Sequence, residues 1–301
     1  MRRVLRWSLA VAGSLLALIT VSAVVMAYAY SASGVANPTS RYLSTVDSRF
    51  VDTALARFHY VQAGTGSPVV LVHGGGEWAY SYRNSIGELA RTHTVYAVDL
   101  PGHGYTTLHK GGFRFDLPSM TDSLAVFLDA LGLRKVSLVG HSWGGGWALR
   151  FAETRPERVD KLALIDSSGL QVEDTWDWRM LEYPVLGELM MNLATRDNMK
   201  PLLLKAFHEP SRVIGDQEID EYWAPASQPT ARSAMLSLQR NQDWSISEHD
   251  LSLVRAQTLV LWGSDDVGCQ EKGFWRGKRD GAGGRVGVRP WPMVIVTCVR
   301  W

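Results

Sequence analysis

The chain has 301 residues, 46% of them hydrophobic, and its 31 Lys and Arg against 30 Asp and Glu give a formal net charge of +1. A chain of this size can bury one sizeable core without staples, and a near-neutral charge with no basic, aromatic-laced stripe argues against a nucleic-acid partner. Both cysteines, Cys269 and Cys298, fall in the last segment, and no CxxC pair or histidine-rich cluster points to a metal or to any cofactor.

At the N-terminus Arg2, Arg3 and Arg6 precede an uncharged run from Trp7 to Tyr30. As a helix that run spans roughly 36 Å, more than a bilayer core of about 30 Å. Residues 1–30 therefore read as a transmembrane anchor or a signal segment. Ala27-Tyr28-Ala29 has the small-x-small form of a cleavage site. The run nevertheless exceeds the roughly 7 to 15 apolar residues of a signal peptide, and Tyr28 and Tyr30 suit an interfacial anchor. An uncleaved, single-pass anchor is favoured, with the arginines in the cytoplasm and the body outside; a secreted or periplasmic product of cleavage is the alternative. Residues 31–47, which include Asn37-Pro38, read as a linker.

Pro68-Val69-Val70-Leu71-Val72 is a short apolar run of the kind that makes a buried strand, and it passes into His73-Gly74-Gly75-Gly76. Val95-Tyr96-Ala97-Val98 reads as a second strand, ending in Asp99-Leu100-Pro101-Gly102-His103-Gly104. Met120, Leu124, Phe127, Leu128 and Leu131 recur at helical spacing, one stripe of an amphipathic helix that would cover the sheet. A third strand, from Val136 to Gly140, then meets His141-Ser142-Trp143-Gly144. Small residues two positions either side of Ser142 let the chain take the strained strand-to-helix bend that lifts a hydroxyl clear of a sheet. The following helix N-terminus faces any negative charge that forms there. Trp147, Leu149, Phe151 and Ala152 read as packing for that helix. Val159–Asp166 and Thr258–Asp266 read as further strands, and Gln171 to about Asn241 between them is rich in Trp, Met and Pro.

In this order, over roughly residues 48 to 266, the motifs resemble the α/β-hydrolase family. The resemblance implies an α/β fold, a mostly parallel sheet with helices on both faces. Its core comes in two parts, 48–169 and 242–267, around a helical lid at 170–241. In that lid Trp176, Trp178, Met180, Met190, Met191 and Trp223 either line a pocket or hold the lid to the body. It further implies that Ser142 is a nucleophile and that the backbone N–H groups of Trp143 and Gly75 form the oxyanion cradle, with Gly76 next in line for the second place. Asp266 matches the position of the catalytic acid, with Asp265 as fallback. Asp166 is an acid site in some relatives and otherwise a structural cap, and His73 and His141 are structural. The implied reaction is covalent acyl-enzyme hydrolysis of a small-molecule carboxylic ester, or of a related acyl or carbon–carbon bond. Relatives that open epoxides or remove halides need an aspartate where Ser142 stands.

After Asp266 the family continues with a proline turn, an amphipathic helix, a last strand and a Gly-x-x-His turn. Residues 268–301 instead hold seven Gly, five Arg, three Trp and both cysteines, and no such helix survives so many glycines. The eight histidines, His59, His73, His93, His103, His109, His141, His208 and His249, all precede Asp266, so the general base is unknown. The abrupt change suits a shifted reading frame in a GC-rich coding sequence; a divergent tail is the alternative, with Pro292–Thr297 as a final strand. The last helix and strand are expected to be missing or aberrant, leaving an unpaired sheet edge. Two functions follow: a serine hydrolase, or a catalytically impaired member that is either a frameshifted product or a binding pseudoenzyme.

Overall fold

The computed structural model describes residues 2–28, 40–169, 176–206, 214–263 and 294–299. Among the described residues nine strands form one sheet: β1 (Ser48–Asp52), β2 (Ala56–Ala63), β3 (Ser67–Val72), β4 (His93–Val98), β5 (Thr107–Leu108), β6 (Val136–His141), β7 (Val159–Ile165), β8 (Gln257–Gly263) and β9 (Val294–Val299). Their order is β1-β2-β4-β3-β6-β7-β8-β9, with β5 beside β2. The β1–β2 and β2–β4 pairings are antiparallel, and every pairing from β4 across to β9 is parallel.

Side chains on β3 alternate between two cores, as the two-residue period of a strand requires. Val70 and Val72 pack with Phe58, Phe127 and Trp147 on one face, while Val69 and Leu71 pack with Trp78, Tyr80 and Ile86 on the other. Burial on both faces is why this strand is apolar throughout. Helix α2 (Arg83–Leu89) covers the second face, and α3 (Leu117–Ala130) and α4 (Trp143–Thr154) cover the first. Asp116 starts α3 by accepting the Ser119 N–H at 2.8 Å, an N-cap that satisfies one orphan donor. Met120, Leu124, Phe127 and Leu128 of the expected stripe are buried and Leu131 is partly so.

Between β7 and β8 come α5 (Trp176–Arg179), α6 (Leu186–Leu193), α7 (Arg196–Ala206), α8 (Asp216–Ala226), α9 (Pro229–Asn241) and α10 (Ser245–Asp250). α9 lies on the turns of the body: a Cβ added to Gly102 would fall 2.6 Å from the Ala234 Cβ, and one on Gly76 would fall 3.5 Å from the end of Met235. Ahead of the body, α1 (Arg2–Tyr28) holds an 18-residue stretch, Val11–Tyr28, with mean hydropathy 2.1, long and apolar enough to cross a membrane.

The expectation that the last strand is missing needs correction. β9 pairs in parallel with β8, Thr258 opposite Val294 through to Gly263 opposite Val299, so β8 is not an edge. The run Val-Ile-Val-Thr-Cys-Val is rich in β-branched residues that favour a pleated surface, and it outweighs the glycine-rich composition that precedes it. The strand begins two residues later than Pro292.

Candidate active site

Ser142 stands where β6 gives way to α4, with φ 51 and ψ −123. A non-glycine residue at positive φ is costly, and such strain persists where the surroundings over-determine it. Here they do. The Ser142 N–H donates to the Ile165 carbonyl at 3.0 Å, and its carbonyl accepts from Gly145 at 2.9 Å and Ser168 at 3.0 Å. The flanking glycines are a matter of contact. A Cβ on Gly140 would fall 2.4 Å from the Gly144 carbonyl oxygen, and one on Gly144 would fall 2.2 Å from that of Val72. The helix thus starts directly against the end of β3.

That contact brings the His73-Gly-Gly-Gly turn beside the serine. A Cβ on Gly75 would lie 2.5 Å from the Trp143 ring, so the two backbone segments expected to form the oxyanion cradle are neighbours. Trp143 is the first residue of α4, and its N–H has no acceptor four residues back in the helix. Its ring packs on Trp147 and, from α5, on Trp178, with centroids 6.3 and 5.5 Å away. A Cβ on Gly74 would meet the Ser142 Cβ at 3.0 Å and the Glu77 Cδ at 3.2 Å, which places Glu77 at the site as well.

Glu77 was not among the residues expected from sequence; the signal available was an acid three residues beyond Gly74. Its carboxylate accepts the Gly74 N–H at 3.0 Å and faces His141 Nδ1 at 3.1 Å. Burial alone would raise this carboxyl, but His141 and the Gly74 N–H outweigh it and bring it down to about 2. Met191 of α6 and Met235 of α9, with Gly76, Glu77, Gly102 and His103, line a small cleft of about 40 Å³.

Of the other histidines of this end, His59 and His73 have both ring nitrogens bonded, whereas His103 bonds the Pro101 carbonyl through Nδ1 at 3.2 Å and has no partner for Nε2 among the described residues. His73 is buried, donates from Nδ1 to the Gly74 carbonyl at 2.8 Å and accepts the Leu100 N–H on Nε2 at 3.1 Å. His103 lies 4.7 Å from it, ring to ring, and burial together with that neighbour pushes its pKa down to about 3. His59 donates to Asp99 at 2.6 Å. Fully buried Asp99 also accepts the N–H groups of Ala79 at 2.7 Å and Tyr105 at 2.9 Å. Burial would raise the Asp99 carboxyl, yet His59, with His73 and the Tyr105 N–H, holds it below its usual value. Asp166, at φ 43, accepts the Gly263 N–H at 2.8 Å and so ties the ends of β7 and β8. Asp265, Asp266 and His208 lie outside the described residues, and His249 falls within α10.

Residues 67–268 match the model of the alpha/beta hydrolase fold family. The chain is 34% identical over 218 residues to a 2-hydroxy-6-oxo-2,4-heptadienoate hydrolase of Pseudomonas putida, a match spanning 67% of this chain and 73% of that one. It is 29% identical over 236 residues to mouse epoxide hydrolase 4, covering 73% of this chain and 65% of the relative. Among solved structures, a meta-cleavage product hydrolase from Pseudomonas fluorescens superposes with a TM-score of 0.61 at 26% identity, over 71% of this chain and 79% of that one. The chain belongs to the alpha/beta hydrolase family and is a hydrolase.

Proposed function

We propose that the chain is a serine hydrolase that cleaves a small-molecule carboxylic ester, or a related acyl or carbon–carbon bond, through a covalent acyl-enzyme. The observation that carries this reading is Ser142 at positive φ on the strand-to-helix turn, with Gly75 against Trp143 beside it. In this scheme the Ser142 oxygen attacks the carbonyl carbon while a base accepts its proton. The backbone N–H groups of Trp143 and Gly75 hold the oxyanion, each worth roughly 3 kcal/mol to the transition state. Asp266 is the acid that orients the base. The serine also separates this reading from epoxide opening, which needs an aspartate nucleophile at that position. The body, 48–169 with 242–267, carries the chemistry, the segment 170–241 acts as its lid, and α1 anchors it outside the cytoplasmic membrane.

A second reading is supported by the histidines. His59 and His73 have both ring nitrogens engaged by other groups, and His103 is buried. The 301-residue chain is then impaired, because a serine without its base loses about a million-fold in kcat. The test is turnover of a short-chain p-nitrophenyl ester and fluorophosphonate labelling, each beside Ser142→Ala. The chain should turn over far more slowly than about 10 per second, the median for enzymes, and Ser142→Ala should remove what remains. Activity that survives Ser142→Ala would dismiss the nucleophile. Serine-dependent turnover near that median would show that a base lies within this chain after all.

A further inference from the structure

The end of α1 is joined to the lid. Asn192 on α6 donates from its side-chain amide to the Ala27 carbonyl at 2.8 Å, and Ala27 is buried at 3% exposure while Val24, Val25, Met26 and Tyr28 remain exposed. Helical geometry then sorts the faces of α6. Leu186 and Leu193, seven residues apart, share one stripe, and both are exposed, at 37% and 53%. Met191 points to the opposite side and lines the cleft next to Gly76 and Glu77. Asn192, on the flank between them, carries α1. Tyr183, in the turn that leads into α6, is 57% exposed. Glu188 does not face outward as a free charge, since Arg240 of α9 forks onto it at 2.7 and 3.1 Å.

We propose that α6 is a bilayer-contacting face, with Tyr183, Leu186 and Leu193 resting among the headgroups and upper acyl chains of the membrane that α1 crosses. This rests on the anchor reading of α1. If α1 spans the bilayer it emerges near Tyr28, and a helix bonded to its last turn is held at the headgroup level. An apolar stripe placed there buries itself about 5–10 Å into the interface, and a tyrosine is favoured at the same depth. The occupant is therefore lipid, continuous with the lipid around α1.

The test uses the unmodified chain in phosphatidylcholine vesicles that contain a phosphatidylcholine with a diazirine on its acyl chain near the headgroup. After photolysis and trypsin, adducts are mapped by mass spectrometry. Adducts are expected within 11–28 and within the fragment 180–196, which holds Tyr183, Leu186 and Leu193, and not around Arg91 on the body. Adducts on 11–28 without any on 180–196 overturn the docking of α6 and leave the anchor standing. Absence of both overturns the anchor reading, and the proposal with it. The double variant Leu186→Glu with Leu193→Glu should lose the 180–196 adduct several-fold while keeping that on 11–28; an unchanged yield would also overturn the proposal.

Discussion

The body and the helices between β7 and β8, proposed above as its lid, are held by different means. Under the turns that hold the serine, polar groups sit fully buried and fix backbone: Asp99 fixes the N–H groups of Ala79 and Tyr105 as well as His59, and His73 ties Gly74 to Leu100. In the lid, the ion pairs are partly open to water. Arg196 meets Asp220 across α7 and α8, and Arg240 meets Glu188 across α9 and α6. Buried groups of this kind impose one geometry, because leaving any of them unpaired is costly, whereas half-exposed pairs tolerate rearrangement at little expense. The turns that position the serine are thus fixed, and so is α8, whose buried Glu221 accepts the Arg41 and Tyr42 N–H groups at 2.8 and 3.0 Å, whereas α6, α7 and α9 are tied by pairs that water reaches.

The comparison breaks most directly at Asp99. Asp99→Ala strips partners from the buried Ala79 N–H, the part-buried Tyr105 N–H and His59 in one step, and breaking a buried pair costs about 3–5 kcal/mol. Urea unfolding of the detergent-solubilised chain, followed by tryptophan fluorescence, should show a loss of that order. A loss under about 1 kcal/mol would place Asp99 with the surface pairs and remove the contrast between the two regions.

The body was legible in the sequence because its constraints leave short, local patterns of residues. Gly140 and Gly144 are forced by contacts at the elbow, and Val69 to Val72 are apolar because both faces of β3 are buried. The lid was legible only as a Trp-, Met- and Pro-rich interval. Which of its side chains reach the site, such as Trp178 against Trp143 and Met191 on the cleft, depends on helix packing that no local pattern records. Glu77 went unread for a similar reason: its role is set by His141, 64 residues away. In the tail, composition misled about β9, since six β-branched or small apolar residues suffice for a strand whatever precedes them.

A smaller effect comes from pH. The pKa of His103 is depressed in the folded chain to about 3, against 6.5 when unfolded, so between those values the unfolded chain binds the extra proton. Stability is therefore full above 6.5 and falls as pH drops toward 3, with a slope approaching 1.4 kcal/mol per pH unit for this one group. His73, depressed by the same burial, adds in the same direction. Between about pH 7 and pH 5 the loss due to His103 should approach 2 kcal/mol. His103→Gln should flatten the profile by that amount even if it lowers stability at pH 7. An unchanged slope would mean that the ring titrates freely, and that this corner of the body is as open as the lid.

The smallest effect is expected at Glu188 and Arg240. The guanidinium holds the Glu188 carboxyl below its usual value through a two-pronged hydrogen bond, and Arg240 also reaches the Leu181 carbonyl at 3.2 Å. Truncating Arg240 alone would therefore overstate the pair, and a double-mutant cycle with Glu188→Gln and Arg240→Ala isolates it. Partial exposure and screening limit the coupling to about 1 kcal/mol. Because the pair is reached by solvent, raising the salt from about 0.1 M to 1 M shortens the Debye length from roughly 10 Å to 3 Å and should weaken it further. The same salt change should leave the cost of Asp99→Ala unaltered, since no ion reaches that site. A coupling of several kcal/mol that ignores salt would mean that the lid is pinned as firmly as the turns beneath it, and the distinction between the two regions would fail where α6 meets α9.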